Sequence, residues 1–307
     1  MDVLHGLESL PQSTGGSVVT IGMFDGVHRG HQAVIGRTVD RARATGLRSV
    51  TATFDRHPRE TLTPGREPRL LTTLERKISL IAQLGVDLLL VLPFTEELSR
   101  IPAEQFVTRV LAEGLQTRRV VIGTNFTFGH KARGNLDLLT AMAPAHGFTV
   151  DGVDLLELDG RRVSSSSIRE ALIEGDLGWP QTALGRRFVL DGRVVRGAGR
   201  GADLGWPTAN LQTDHRLLLP GEGVYAGRAR AARGDYVAAI NVGSNPTFGR
   251  EPVHVEAFLL DFEGTLLGEE VAVEFWVRLR DEVRFESAEE LAKQIAADVE
   301  RTRELMA

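Results

Sequence analysis

The 307-residue chain contains no cysteine. That absence excludes disulfides, thiolate metal sites, iron–sulfur clusters and cysteine nucleophiles together, and makes a reducing cytoplasm the simplest home. Long hydrophobic runs are missing too: the longest comparable stretch, Leu88 to Leu92 with its neighbours, falls far short of the roughly 20 apolar residues a spanning helix needs. The first residues, MDVLHGLESLPQ, have neither the basic start nor the apolar core of a signal peptide, so no export is expected. Positive charge is not in excess. With 36 basic against 41 acidic residues the formal charge is -5, which offers no attractive field to a nucleic acid but leaves small phosphates open. No Gly-x-x-x-x-Gly-Lys-Ser/Thr run occurs, which excludes a P-loop kinase.

What is present reads as two domains, since 307 residues exceed the roughly 150 of a single ordinary domain. The first half alternates β-rich runs with helical stretches, the pattern of a parallel sheet covered by helices. Strands are expected at 17–22, 48–54, 86–92, 118–123 and 148–156. Thr72 with Glu75 resembles a capping box, Pro102 suits a first helical turn, and Gly46 and Gly85 suit helix ends. A further helix is expected over 165–174.

From about Arg186 short alternating runs follow at 188–195, 223–229, 236–242, 254–260 and 270–275, the spacing of an antiparallel β-barrel. Ser287-Ala-Glu-Glu290 then opens an amphipathic helix to about Met306. Gly178-Trp-Pro180 is expected to stop the helix before the barrel, which puts the boundary between domains at 1–182 and 183–307. The fold class is therefore α/β plus β: a Rossmann-like domain, then a small barrel with a C-terminal helix.

The first chemical signal is Gly22-Met-Phe-Asp-Gly-Val-His-Arg-Gly-His31, a strand end passing through a glycine-rich turn into a helix beginning near His31. Helix-start N–H groups favour anions, Gly26 and Gly30 let backbone approach a ligand, and His28 and His31, three apart, can face it together. Either histidine alone would read as an ordinary surface side chain. Ser164 to Ser167 place four hydroxyls at a helix start, and Arg169 can grip a polyphosphate with two donors, although a serine run alone reads as a flexible loop. Asn125 lies past a strand end, where open α/β sheets bind ligands, and the Phe126 and Phe128 rings either meet a planar ligand or belong to the core.

Beyond the boundary, Gly197, Gly199 and Gly201 partly imitate a dinucleotide fingerprint, but no helix follows them. Thr208 and Asn210, two apart after Pro207, share a side if extended, and their hard oxygens suit magnesium; a structural turn is the alternative. Glu256 and His254 alternate onto one side with Phe258 and Leu260, a setting for a polar group that lines a pocket or simply faces water.

The Gly22–His31 segment resembles the nucleotidyltransferases with an HxGH signature, and in particular the bifunctional riboflavin kinase/FMN adenylyltransferases. Thr53-Phe-Asp-Arg-His-Pro58, Gly123-Thr-Asn-Phe-Thr-Phe-Gly129 and Val163-Ser-Ser-Ser-Ser-Ile-Arg169 match that family's later adenylyltransferase motifs in order. Leu204-Gly-Trp-Pro-Thr-Ala-Asn210, Asn241-Val-Gly-Ser-Asn-Pro-Thr-Phe248 and His254-Val-Glu-Ala-Phe-Leu-Leu-Asp261 resemble its flavokinase module.

The resemblance implies an enzyme that converts riboflavin to FMN and FMN to FAD with ATP and magnesium. His28 and His31 would stabilise adenylyl transfer, with Gly22, Phe24, Gly30, Ser164, Ser165, Ser166 and Arg169 around the ATP phosphates. His57, Pro58, Asn125, Phe126 and Phe128 would adjoin the flavin. In the barrel Glu256 would be the general base, Thr208 and Asn210 would hold magnesium, and Gly197, Gly199 and Gly201 would form the ATP loop. Arg278 and Arg280 would be phosphate partners or solvated charge. The chain departs from the family at Arg56, Ser166, Trp206 and Leu266-Leu-Gly268, and Arg56 brings a cation near phosphate. Two other readings are a barrel that only binds flavin and a non-catalytic flavin- or nucleotide-binding regulator. Partners are small molecules rather than nucleic acid or membrane; oligomeric state is not specified.

Overall fold

Every residue of Leu88–Leu92 is buried, and the side chains alternate between two cores: Leu88, Leu90 and Leu92 pack on one face, Leu89 and Val91 on the other. A strand covered on both faces needs such an uninterrupted apolar run. In the computed structural model, which describes residues 1–10, 15–197, 199, 201, 205–244 and 253–307, this strand belongs to a six-stranded parallel sheet. The strands are β1 (Asp2–His5), β2 (Ser17–Ile21), β3 (Arg48–Phe54), β4 (Leu88–Leu92), β5 (Thr117–Gly123) and β6 (Thr149–Val153). Their spatial order is β1-β4-β3-β2-β5-β6, and β7 (Glu157–Leu158) with β8 (Arg161–Arg162) forms a separate two-stranded antiparallel pair. Five match the expected runs; β1 is additional, a four-residue edge strand pairing Asp2 to Leu88 through His5 to Val91.

Helices fill the connections: α1 (Arg29–Thr45), α2 (Pro58–Leu62), α3 (Leu74–Ala82), α4 (Glu96–Arg100), α5 (Ala103–Phe106) and α6 (Leu136–His146). α1 starts at Arg29, two residues before His31 and so close to where it is expected, and Gly46 ends it at φ 66°, a conformation glycine adopts without steric cost. Residues Met1–Leu70 with Leu74–Ser165 form one compact unit, and Leu71–Thr73 with Ser166–Ala307 form a second.

The second unit opens with α7 (Ser165–Ile173) and α8 (Gly178–Leu184). The Gly178-Trp-Pro180 segment therefore starts a helix instead of stopping one. Asp176 accepts from the Gly178 and Trp179 N–H groups, and Pro180 falls in the first turn, where its missing donor costs nothing.

Six antiparallel strands then close into a barrel: β9 (Val189–Val195), β10 (Ala209–Gln212), β11 (Gly223–Ala231), β12 (Gly234–Gly243), β13 (His254–Leu259) and β14 (Glu270–Arg280). The ring runs β10-β13-β12-β11-β14-β9 and returns to β10, so the segment weighed as a turn at Pro207–Asn210 leads into the strand that completes it. α9 (Ala288–Met306) begins as expected at Ser287, whose hydroxyl accepts from Glu290 N–H; the Glu290 carboxylate instead accepts from Glu286 N–H. In the motif Asn241–Phe248, residues 245–248 lie outside the described residues, as does Leu204.

Candidate functional site

Because all neighbours in the first sheet are parallel, the segments after β2, β3 and β5 leave it along one edge. From β2 the chain proceeds to β3 on one side and β5 lies on the other, so the strand order switches between β2 and β5. Such a switch opens a crevice at the carboxyl ends. The Gly22–His31 turn follows β2 and Asn125 follows β5.

The turn is tightly constrained. Phe24, Gly26 and Val27 have φ of 49°, 78° and 41°; for the β-branched Val27 this conformation is strained and must be held by its surroundings. Phe24 and Val27 are buried in the core beside Ile35 and Ile81. Gln32 donates to the Val27 carbonyl at 2.8 Å, and Thr53 and Lys77 both donate to the Met23 carbonyl, at 3.1 and 3.2 Å. A Cβ on Gly22 would stand 2.8 Å from the Phe24 ring, so this position has no room for a side chain.

His28 caps α1: its Nδ1 accepts from His31 N–H at 3.3 Å, which leaves the proton of a neutral ring on Nε2. The two imidazoles stack with centroids 3.5 Å apart, and Phe24 meets His31 edge-on at 5.2 Å. Burial, then the charges of His28 and Lys77, hold His31 well below the ordinary histidine range, so it is neutral at pH 7. Its Nδ1 is buried without a hydrogen-bond partner. A neutral His31 stacked on His28 offers a directed ring rather than a second cation. Ser165 donates to the Asp25 carbonyl at 3.0 Å, tying the start of the serine motif to the turn. Ser166 and Arg169 lie on α7 in the second unit.

His57 is the N-cap of α2 and Pro58 its first residue: His57 Nδ1 accepts from Arg59 N–H, and Glu60 accepts from His57 N–H. Asp55 accepts from Phe94 N–H at 2.9 Å and pairs with Arg56 at 3.0 Å. Burial raises the Asp55 carboxyl, but the Arg56 and Phe94 hydrogen bonds outweigh it and keep the group below its usual range. Arg56 therefore carries a carboxylate of its own. Asn125 is exposed, Phe126 is half-buried, and Phe128 is buried in the core against Phe106 and Gly134. Phe126 stacks on Phe128 at 5.8 Å, so the inner ring backs the outer one.

In the barrel, strand β13 turns Val255, Ala257 and Leu259 inward and His254, Glu256 and Phe258 outward. Glu256 stands opposite Asn210 on β10 and Asn241 on β12, so three polar side chains form one row across three strands. Thr208 donates to Glu256 Oε2 at 3.0 Å, and His254 Nε2 lies 3.0 Å from Oε1. Trp206 packs edge-on against Phe258 at 5.2 Å, extending the row with an apolar wall. A Cβ on Gly197 would run into the Asn210 amide, and one on Gly201 into the Trp206 carbonyl. These glycines let the loop lie directly on the Thr208–Asn210 segment, whereas Gly199 has open space. The hydroxyl hydrogen of Thr208 is committed to Glu256, which leaves its oxygen lone pairs, with the Asn210 amide oxygen, as a hard donor set suited to magnesium.

Arg280 is half-buried and paired rather than simply solvated: Asp298 of α9 accepts from it with two oxygens at 2.8–3.1 Å. Arg278 donates to the Glu222 carbonyl and pairs with Asp281, both at 2.7 Å. A residue outside the sequence expectations is Lys77, whose ammonium donates to the Met23 and Phe54 carbonyls. A signal was present, since Lys77 shares the buried face of α3 with Leu74, Ile78 and Ile81 at helical spacing.

Comparison with known proteins assigns the two halves separately. The family described as FAD synthetase matches residues 10–167, and the family described as riboflavin kinase matches 184–306. A bifunctional riboflavin kinase/FMN adenylyltransferase from Pseudomonas fluorescens is 39% identical over 308 aligned residues, covering 100% of this chain and 98% of the relative. The protein of the same name from Escherichia coli K12 is 33% identical, covering 98% and 96%. Among solved structures, a macrolide-efflux protein from Streptococcus pneumoniae superimposes with a TM-score of 0.87 at 29% identity, covering 99% of each chain. Among the described residues no helix is long and apolar enough to cross a membrane.

Proposed function

The chain belongs to the bifunctional riboflavin kinase/FMN adenylyltransferase family, and from that premise we propose how its own residues divide the two reactions of FAD biosynthesis. The reading is carried by one observation: Glu256 sits hydrogen-bonded to Thr208 and level with Asn210 on the outer face of the barrel, a carboxylate placed beside a hard-oxygen pair.

In this proposal the barrel phosphorylates riboflavin. Glu256 accepts the proton of the flavin's terminal hydroxyl as that oxygen attacks the ATP γ-phosphorus and ADP departs. His254 and Thr208 hold the carboxylate, and the loop bearing Gly197, Gly199 and Gly201 covers the phosphates. Magnesium, held by Thr208 and Asn210, would neutralise phosphate charge there.

The parallel-sheet unit transfers AMP. The FMN phosphate attacks the ATP α-phosphorus and pyrophosphate leaves; the nucleophile is already anionic, so no base is required. His28, with its donor on Nε2, and neutral His31 stabilise charge developing on the transferred phosphoryl group. Gly22, Phe24 and Gly30 shape the phosphate side, while Ser164, Ser165, Ser166 and Arg169 are proposed as phosphate ligands on their motif. Asn125 and Phe126 contact the flavin, backed by Phe128, with His57 and Pro58 as the neighbouring helix start. We place the functional boundary at residues 182–183, supported by matched ranges that end at 167 and resume at 184. The missing cysteines support a reducing cytoplasm as the setting.

The test is incubation with riboflavin, ATP and magnesium, following FMN, FAD, ADP and pyrophosphate by chromatography. FMN and FAD together support the reading; absence of both under oxidising and reducing conditions would overturn it and favour a regulator.

A further inference from the structure

We propose that Lys77 is a positioning residue for adenylyl transfer, fixing the Gly22–His28 turn by gripping the carbonyl oxygens of Met23 and Phe54. The inference rests on the adenylyltransferase reading of this unit. Lys77 is 3% exposed, unusual for a lysine, and its ammonium donates at 3.2 Å to Met23 and at 2.8 Å to Phe54. Those carbonyls belong to different segments: Met23 opens the histidine turn after β2, and Phe54 ends β3. One buried cation thus joins the exits of two neighbouring strands at the ligand-facing edge.

The turn needs such a clamp, because Phe24, immediately after Met23, and Val27, four residues on from Met23, are held at positive φ. The Nε2 donor of His28 can be aimed only if the turn cannot relax. Bonds from an ammonium to carbonyls are charge-assisted and stronger than those from an amine, so the clamp weakens when Lys77 loses its proton. Burial brings that event down to about pH 8, against the opposing pull of the Asp25 and Asp55 charges. The titratable groups that act on it or that it acts on are Asp25 on the turn, His31 on α1, and Asp55, itself paired with Arg56, after β3.

The full-length chain carries its own control, since riboflavin phosphorylation and FAD formation from supplied FMN can be measured on one sample. For Lys77→Met we expect FAD formation to fall on the order of 100-fold in kcat, the cost of about 1 Å misplacement, with KM for FMN and ATP within roughly threefold. Riboflavin phosphorylation should stay within about twofold of wild type. Wild-type FAD formation should decline as pH rises through about 8, and in Lys77→Arg, which stays charged, that decline should vanish. FAD formation within threefold of wild type in Lys77→Met, an equal fall in both activities, or the same alkaline decline in Lys77→Arg would each overturn the proposal. Wild-type protein that makes no FAD from FMN and ATP would instead overturn the adenylyltransferase reading, and this inference with it.

Discussion

The hydroxyl of Thr208 donates to Glu256 across 3.0 Å, joining a residue just ahead of β10 to the middle of β13. The carboxylate proposed as base is thereby oriented by the residue proposed to meet the metal. For Glu256→Gln we expect riboflavin phosphorylation to drop about 10²- to 10⁴-fold while FAD formation from supplied FMN is unchanged. Product chromatography with each substrate in turn checks this; parallel loss of both activities would contradict the assignment.

His28→Ala should do the converse. Loss of the cap and of the Nε2 donor is expected to cut FAD formation at least about 10²-fold, leaving FMN to accumulate. A variant that still makes FAD at the wild-type rate would remove His28 from the transition state.

His31 also makes a stability prediction. Its folded pKa is depressed below 6.5, so between that folded value and 6.5 the unfolded chain binds a proton that the native state refuses. Stability contributed in this way is complete above pH 6.5 and is lost as pH falls below it. Thermal unfolding should show Tm decreasing on acidification from 6.5, with a shallower slope in His31→Gln. Equal slopes would mean that His31 charges freely in the native state.

Gly197→Ala should act on the barrel alone, because the new methyl collides with the Asn210 amide. We expect riboflavin phosphorylation reduced roughly 10- to 100-fold, as for disturbed metal-site neighbours, with the magnesium requirement raised. Gly199→Ala, facing open space, is the control expected to be near wild type apart from the strain of its φ of 79°. Titrating magnesium against rate for both variants decides the matter.

Asp298→Ala leaves the half-buried Arg280 guanidinium without its carboxylate. A loss of about 2–4 kcal/mol in unfolding free energy is expected, and the double variant Arg280→Met/Asp298→Ala should lose less than the sum of Arg280→Met and Asp298→Ala. Denaturant melts of the single and double variants test it; additive losses would show that the pair is not coupled.

The alternation of strands and helices is legible in the sequence where runs are long and apolar, as in Leu88–Leu92. It did not reveal β1 or β10, each four residues long, because such strands exist only through partners far along the chain. His28 and His31 are legible as a pair, yet their stacking and the lowered pKa of His31 depend on Phe24, Lys77 and the depth of the turn. Glu256, Asn210 and Asn241 could be named individually, but their alignment is a matter of register. The pairing of Arg280 is hidden for the same reason: its partner, Asp298, lies 18 residues away on another element. Lys77 was hidden by habit of residue type, since a lysine among Leu74, Ile78 and Ile81 is ordinarily taken for the wet side of a helix.

The barrel closes on its shortest strand. β10 has only four residues, yet it bonds to β9 on one side and β13 on the other, and Asn210 is one of the four. The stave that seals the ring is thus also the one presenting a proposed metal ligand. A change that unseats β10 would create two raw sheet edges at once, inviting strand exchange between molecules. Drift in this part of the proposed kinase site is consequently exposed to a second penalty, insolubility, that acts before any substrate is met.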